Sequence, residues 1–327
     1  MVELNISSSD TNQRLNKFLL KYLNTAPSSF VYKMLRKKNI TLNGKKAAGD
    51  EILKEGDIIK LFLSDETISK FRDNKESIVK TIDKNTYDSL KVLYVDENII
   101  AVSKGAGILS QKAKIDDISI NEMIIEYCRV NNLSKSGYTP SICNRLDRNT
   151  SGIILGGITL HGSQYLSEVL RTRKCDKFYY TVVSGEFKDS IHCKTYITKD
   201  ENKNISQVIS NQEYEALSEI DKENYSYAET IFTPVYTGKY SLLKIKLITG
   251  KSHQIRASLK YLGYPVVGDG KYGTPSVNRY FRDKYKLKHH LLHSGIICFD
   301  NIQIKDELPD IFIKICQGEG IHYKNLF

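Results

Sequence analysis

The sequence predicts an α+β protein built from two units. Three observations predict it. Alternating runs such as SLLKIKLI recur among helix-period stretches without a strict strand–helix–strand order. The positive charge is concentrated: residues 14–63 hold eleven Lys and Arg against four Asp and Glu, seven of the net +10. Residues 64–88 are polar, dense in charge and poor in aromatics, the composition of a linker. A chain of 327 residues has room for roughly two domains, and 40% hydrophobic against 26% charged residues excludes wholesale disorder. The expected division is 1–63, a linker at 64–88, and 89–327.

Leu15, Phe18, Leu19 and Tyr22 follow helical spacing, so 14–22 reads as an amphipathic helix. Ser28 or Ser29 is placed to cap a second helix with an apolar stripe of Phe30, Val31, Met34 and Leu35. Lys33, Arg36 and Lys37 share another face of it. Ile40 and Leu42 then alternate into Asn43-Gly44, a hairpin signal, and a short strand follows Gly56-Asp57. A charged surface or a polyanion-binding module explains this segment equally well on composition.

In the second unit, LKVLYVDENIIAVSK is a hairpin around Asp96-Glu97-Asn98, and 119–131 is a helix capped by Ser119. ICNRLDRNTSGIILGGITL sets Arg145, Asp147 and Arg148 before a tight Thr150-Ser151-Gly152 turn and an apolar strand. A helix carries Leu166, Val169 and Leu170, KFYYTVVSGE is a strand, and 199–227 reads as an exposed insertion. SLLKIKLI puts Leu243, Ile245 and Leu247 opposite Lys244 and Lys246. SHQIRASLKYLG is a helix with Ser252 at its N-cap and Gly263 past its end. A Gly-rich loop, GYPVVGDGKYG, and a late strand, LLHSGIICF, complete it.

Asp147 is the candidate for chemistry. Burial alone would raise a carboxyl pKa; a neighbouring guanidinium reverses that and favours the charged form a nucleophile or base needs. The flanking arginines are near, and Arg256 is a possible partner from elsewhere in the chain. Tyr179 and Tyr180 offer flat faces suited to stacking a base. On the residues alone, a surface ion-pair cluster explains RLD as well. His161, His192, His289, His290 and His322 read as surface or core residues, His293 as a satisfied core histidine and His253 as a loop anchor. Gly268, Asp269, Gly270 and Gly273 read as pocket wall. The cysteines, none within ten residues of another, carry no CxxC or zinc pattern and suggest six buried thiols in a reducing cytoplasm. No apolar run approaches the ~18 residues of a membrane span, and MVELNISSSD has no signal-peptide pattern.

Two resemblances sharpen this. Residues 14–63, with the spacing SS…LR…I.LNGK…L..GD.I, resemble an S4 RNA-binding domain. That implies RNA-backbone contacts from Lys33, Arg36, Lys37 and Lys38. Residues 88–300 resemble the RluA-type pseudouridine synthases, in the S4-bearing branch that is RluC- and RluD-like. NRLDRNTSGIIL, KFYYTVVSG, LLKIKLITGKSHQIRASLKYLGYPVVGDGKYG, YVDENIIAVSKGAGIL and LLHSGIICF match its motifs in the family's order.

The resemblance implies a mixed, largely antiparallel catalytic sheet. It also implies Asp147 as the catalytic aspartate, Tyr179 packing on the target uracil and able to take its C5 proton, and Arg256 paired with Asp147. Arg145 would fill the RNA where the base is flipped out, and Ile255 and Lys251 would lie near the substrate. Four positions depart from the family pattern, Asn144, Lys251, Ser258 and Gly105, none of them the implied catalytic groups. The implied reaction isomerises uridine to pseudouridine in RNA, expected to be 23S rRNA or a precursor ribosomal particle. It needs no cofactor, metal, membrane or obligate protein partner. The alternatives are tRNA as substrate, a non-catalytic RNA-binding or ribosome-assembly factor, and an RNA N-glycosylase.

Overall fold

The computed structural model describes all residues except 8–9, 72–89, 115–116, 134–137, 324–325 and 327. In the N-terminal unit, strands β1 (Val2–Asn5), β2 (Ile40–Leu42), β3 (Lys45–Lys46) and β4 (Ile58–Leu61) form an antiparallel sheet in the order β1-β4-β2-β3. Helices α1 (Leu15–Tyr22) and α2 (Ser28–Arg36) pack with this sheet around one core. Leu15, Leu19, Val31, Ile40, Ile59 and Leu61 are fully buried there, each contributing about 1.5–3 kcal/mol of apolar transfer.

The hairpin forms at Asn43-Gly44, both with positive φ (52° and 73°), as a two-residue primed turn requires. Asn43 does more than turn the chain: its amide donates to Asp57 Oδ1 at 2.8 Å and accepts from the Ile58 N–H at 2.8 Å. Neither candidate serine caps α2. Pro27 occupies the N-cap without a side-chain bond, and Ser28 is already inside the first turn. Lys33, Arg36, Lys37 and Lys38 are all exposed. The expected linker begins later than its composition suggests. Helix α3 (Asp65–Phe71) buries Ile68, and Phe71 lies 4.4 Å from Phe30 between ring centroids, because its two apolar residues reach the same core. The rest of the expected linker lies outside the described residues.

Among the described residues the second sheet has eleven strands. They are β5 (Lys91–Val95), β6 (Ile99–Lys104), β7 (Ser141–Ile142), β8 (Ser151–Gly157), β9 (Cys175–Ser184), β10 (Ile191–Asp200), β11 (Ile205–Ile209), β12 (Ser226–Tyr236), β13 (Tyr240–Leu247), β14 (Leu292–Phe299) and β15 (Ile302–Lys305). The path runs β11-β10-β12-β13-β9-β14-β8-β6-β5, with β15 added to β14 and β7 to β8. Among the named strands of the described residues, only β8 and β14 pair in parallel, through Ser151–His293 and Gly152–Ser294. The sheet is therefore mixed and largely antiparallel.

Its faces bury different cores. Helices α4 (Ile120–Val130) and α8 (Gln254–Tyr261) supply Ile124, Ile255 and Leu259 to one, with Ile100, Ile154, Tyr179 and Ile245. Helices α9 (Pro275–Tyr285) and α10 (Asp310–Gly318) supply Phe281 and Phe312 to another, with Tyr180, Val182 and Leu242. Helix α5 (Leu160–Arg171) buries Leu166 and Val169 against the β6–β8 region.

Four local expectations are corrected. Ser119 stands at the N-cap of α4 but makes no cap bond, its hydroxyl being turned to Glu122. The cap of α8 is His253, left-handed at φ 54°, not Ser252. Residues 199–227 are not a bare insertion. They include β11 and two short helices, α6 (Asn211–Glu215) and α7 (Glu219–Lys222), and β11 gains its place by pairing with β10. Of the six thiols, Cys143 and Cys298 are only half-buried.

Candidate active site

The loop between β7 and β8 carries Asp147. Its shape comes from small hydrogen-bonding residues. Ser110 Oγ donates to the Leu146 carbonyl at 2.8 Å, and the Leu146 N–H returns a bond to Ser110 Oγ at 3.1 Å. Asn144 latches the loop to β8, accepting from the Leu155 N–H at 2.7 Å and donating to the Ile153 carbonyl at 3.3 Å. The tight turn comes earlier than expected, over Asp147–Thr150: the Thr150 N–H closes on the Asp147 carbonyl at 3.0 Å, and Ser151-Gly152 already belong to β8. Thr150 Oγ1 meets His290 Nε2 at 2.8 Å, and Ser151 Oγ meets His293 Nδ1 at 2.9 Å.

Arg256, on the first turn of α8, reaches this loop across 109 residues of sequence and donates to Asp147 Oδ2 at 2.7 Å. Its other edge grips Asp269, with Nε donating at 2.6 Å and Nη2 at 2.9 Å. Asp269 also accepts the N–H groups of Lys271 (2.9 Å) and Tyr272 (3.1 Å). Asp147, Arg256 and Asp269 thus form a continuous chain of charge. Burial opposes the ionised form of Asp269, but the Arg256 hydrogen bonds and charge outweigh it and hold the carboxyl below its usual 3.8. Arg256 is opposed by burial too, and its two carboxylate partners raise its pKa further.

The Asp147 side chain is 29% exposed and faces an open cleft rather than a dry pocket. Its sequence neighbours do not serve it: Arg145 is exposed at the cleft rim, and Arg148 Nε donates to the Gly107 carbonyl at 3.1 Å. The cleft holds about 330 Å³, and its walls include Asp147, Tyr179, Arg256, Arg145, Ile255 and Lys251. All six residues expected at the catalytic centre therefore meet in one place. Tyr179 is buried, and burial pushes its phenol up to about 12. Tyr180 cannot join it: successive residues of a strand face opposite ways, and the Tyr180 hydroxyl donates to the Leu326 carbonyl at 2.5 Å on the other side.

Three groups at or beneath the cleft were not read as site residues from the sequence. Lys177, two residues before Tyr179 and on the same face of β9, lines the cleft, and burial lowers its pKa. His253 Nε2 lies 4.0 Å from Asp147 Oδ2, and burial lowers its pKa as well, against the pull of Asp147. Lys104 is fully buried beneath the loop, donating to the carbonyls of Gly105 (3.1 Å), Ile108 (2.9 Å) and Arg148 (2.9 Å). Burial takes its pKa down to about 7. Period-two patterning could have found Lys177; nothing local marks the other two.

A larger cavity of about 620 Å³ is lined by Lys91, Lys288, His293 and Asp306. It holds none of the expected site residues, and its buried acid is already satisfied, since Asp306 accepts from Lys91 at 3.0 Å and Ser103 at 2.5 Å. Among the described residues, no cluster of three or more His, Cys, Asp or Glu could hold a metal, and no helix is long and apolar enough to cross a membrane.

Comparison with known proteins identifies the family. Residues 98–261 match the family model described as RNA pseudouridylate synthase. An RNA pseudouridine synthase of Mycoplasma pneumoniae is 31% identical over 333 residues, covering 95% of this chain and 96% of that protein. The ribosomal large subunit pseudouridine synthase C of Rickettsia conorii is 29% identical, covering 88% of this chain and 89% of that one. Among solved structures, human RNA pseudouridylate synthase domain containing 4 superposes with a TM-score of 0.59 at 18% identity, over 72% of this chain and 95% of that one. The chain therefore belongs to the RNA pseudouridylate synthase family, of the RluA type, and is an enzyme that isomerises uridine to pseudouridine in RNA.

Proposed function

We propose that the substrate is ribosomal RNA of the large subunit, that Asp147 is the group acting on the ribose, and that residues 1–63 are an S4-type RNA-binding domain. The observation that carries the catalytic assignment is the Asp147–Arg256–Asp269 chain lying in a cleft with Tyr179. Isomerisation breaks the N1–C1′ bond, turns the uracil, forms C5–C1′ and moves the C5 proton away. Attack at C1′ and removal of a ribose proton both need an ionised carboxylate within reach of the sugar. Asp147 has one oxygen engaged by Arg256 and a side chain open enough to meet the nucleotide.

Tyr179 and Ile255 supply flat and apolar walls for the base. With its phenol near 12, Tyr179 is an O–H donor at neutral pH and must ionise before it can take the C5 proton. Arg145 and Lys251, exposed at the rim, meet the RNA around the flipped nucleotide. Flipping costs a few kcal/mol, which backbone contacts from Lys33, Arg36, Lys37 and Lys38 offset. Support for ribosomal RNA comes from the relatives named ribosomal large subunit pseudouridine synthase C. Action on that RNA would put the enzyme in the cytoplasm.

The test uses transcripts of 23S rRNA and of tRNA carrying tritium at uracil C5. Wild type should release tritium from 23S fragments. Asp147→Ala should release none while binding the same RNA within a few fold of wild type. Release from tRNA alone would move the substrate, and free uracil in the supernatant would make the protein a glycosylase. Full complementation of a deletion strain by Asp147→Ala would leave only a binding role.

A further inference from the structure

Tyr272 sits where four parts of the catalytic domain meet, and it is buried. Its ring lies under the Arg256 guanidinium, 5.1 Å from Cζ to the centroid, a cation–π distance. Its backbone N–H donates to Asp269 Oδ1. Its phenol oxygen accepts the Ser206 N–H at 2.7 Å and lies 2.9 Å from His253 Nδ1. Since that oxygen already accepts from Ser206, its own hydrogen is available to His253 Nδ1. With that hydrogen donated to Nδ1, a neutral His253 would carry its proton on Nε2, the nitrogen 4.0 Å from Asp147 Oδ2.

The β10–β11 hairpin holds this arrangement from outside. Besides the Ser206 N–H, Ser206 Oγ donates to the Ser252 carbonyl at 2.8 Å, and Lys271 Nζ donates to the Asn204 carbonyl at 2.5 Å. Both loops that flank Arg256 are therefore tied to the β10–β11 hairpin, whose turn and second strand lie in the segment that composition marked as an insertion.

We propose that Tyr272 is a positioning residue for the isomerisation: aligned by the β10–β11 hairpin, it holds Arg256 and His253 in register with Asp147. This rests on the reading of Asp147 given above. It adds a requirement that reading does not contain, because Tyr272 acts through Arg256 and His253.

The experiment compares wild type, Tyr272→Phe, Tyr272→Leu, Asp147→Ala and Tyr285→Phe by tritium release from a C5-tritiated 23S rRNA transcript. Tyr285 is a control: it is equally buried, and its hydroxyl is bonded to Glu319 at 2.6 Å, outside the cleft. Tyr272→Phe keeps the ring under Arg256 and loses only the phenol bonds. Its kcat should fall by about tenfold, and that of Tyr272→Leu by about a hundredfold, the scale of small misplacements of reacting groups. KM should stay within about threefold in both, since substrate contacts are untouched. Tyr285→Phe should turn over normally, whatever its change in melting temperature. No release by wild type would overturn large-subunit ribosomal RNA as the substrate, and undiminished release by Asp147→Ala would overturn the reading of Asp147. Release by wild type with normal kcat in folded Tyr272→Phe would overturn this inference alone. So would a loss confined to KM, or an equal loss in Tyr285→Phe. If Tyr272→Leu fails to fold, the split in Tyr272→Phe decides.

Discussion

Arg256 carries one positive charge between two carboxylates, and the two are not equivalent. Asp269 is fully buried and held by two bonds from one edge of the guanidinium, whereas Asp147 takes a single bond and faces the cleft. Removing Asp269 leaves a buried guanidinium half paired, so Asp269→Ala should lower stability at neutral pH by about 3 kcal/mol. A urea midpoint equal to wild type would contradict this. The pH dependence has a definite sign. Because the folded-state pKa of Asp269 lies below its usual 3.8, its contribution is complete above about pH 5 and fades as pH falls through the lowered value. The gap between wild type and Asp269→Ala should therefore be constant from neutral pH down to about pH 5 and close below it. Asp147, Tyr179 and Arg256 were legible in the sequence because their motifs are. Asp269 read only as pocket wall, since GDGKYG signals a turn and hides an ion pair that forms only when α8 packs beside it. The flanking arginines misled for a local reason: adjacency in sequence does not turn side chains toward one another.

Elements show the same division. Alternation in SLLKIKLI correctly separates Leu243, Ile245 and Leu247 from Lys244 and Lys246. The two lysines cover the Phe178 ring, at 4.8 and 5.8 Å from its centroid. Alternation in β9 also separates Tyr179 from Tyr180, although composition makes both look suited to stacking. Gly152 explains why the chain turns into β8 as it does. With φ 118°, a Cβ there would meet the Ser294 carbonyl oxygen at 2.3 Å, in the parallel pairing of β8 with β14. Gly152→Ala should cost about 3 kcal/mol or more, from overpacking and backbone strain together. It should also lower kcat, because Asp147 is anchored just before that strand. An unchanged melting temperature would show that β8 and β14 can separate without penalty. The cap of α8 was misplaced by one residue because His253 adopts a left-handed conformation, which its bond to Tyr272 supports and no propensity scale anticipates.

At the scale of the whole molecule, the charge surplus of residues 14–63 lies on a unit with its own core. Binding of RNA should therefore weaken steeply with salt. Replacing Arg36 and Lys37 by Gln should reduce the slope of log affinity against log salt by about 0.7–0.9 for each phosphate no longer neutralised. Filter binding or fluorescence titration between low and moderate salt measures it. A slope unchanged in the double variant would remove the basic face of α2 from the RNA interface. The boundary after this unit was legible only to within α3, because a short helix with two apolar residues looks like linker until a core is there to receive them. Helices α9 and α10 went unnoticed in the sequence for a similar reason: their stripes gain meaning from the sheet face they cover.

The sequence by itself determined the alternating strands, the basic second helix, the Asn43-Gly44 hairpin and the motifs that name the reaction. Each is encoded by neighbours within a few residues, where local sterics and periodicity act. Tertiary structure alone decided that Arg256 bridges Asp147 and Asp269, that Tyr272 joins two loops to a distant hairpin, and that Lys104 lies buried beneath the site. Those contacts span 13 to 109 residues. Ion pairs and hydrogen bonds of that kind have no signature in local pattern, because their partners meet only after the sheet has brought β8, β9 and α8 together.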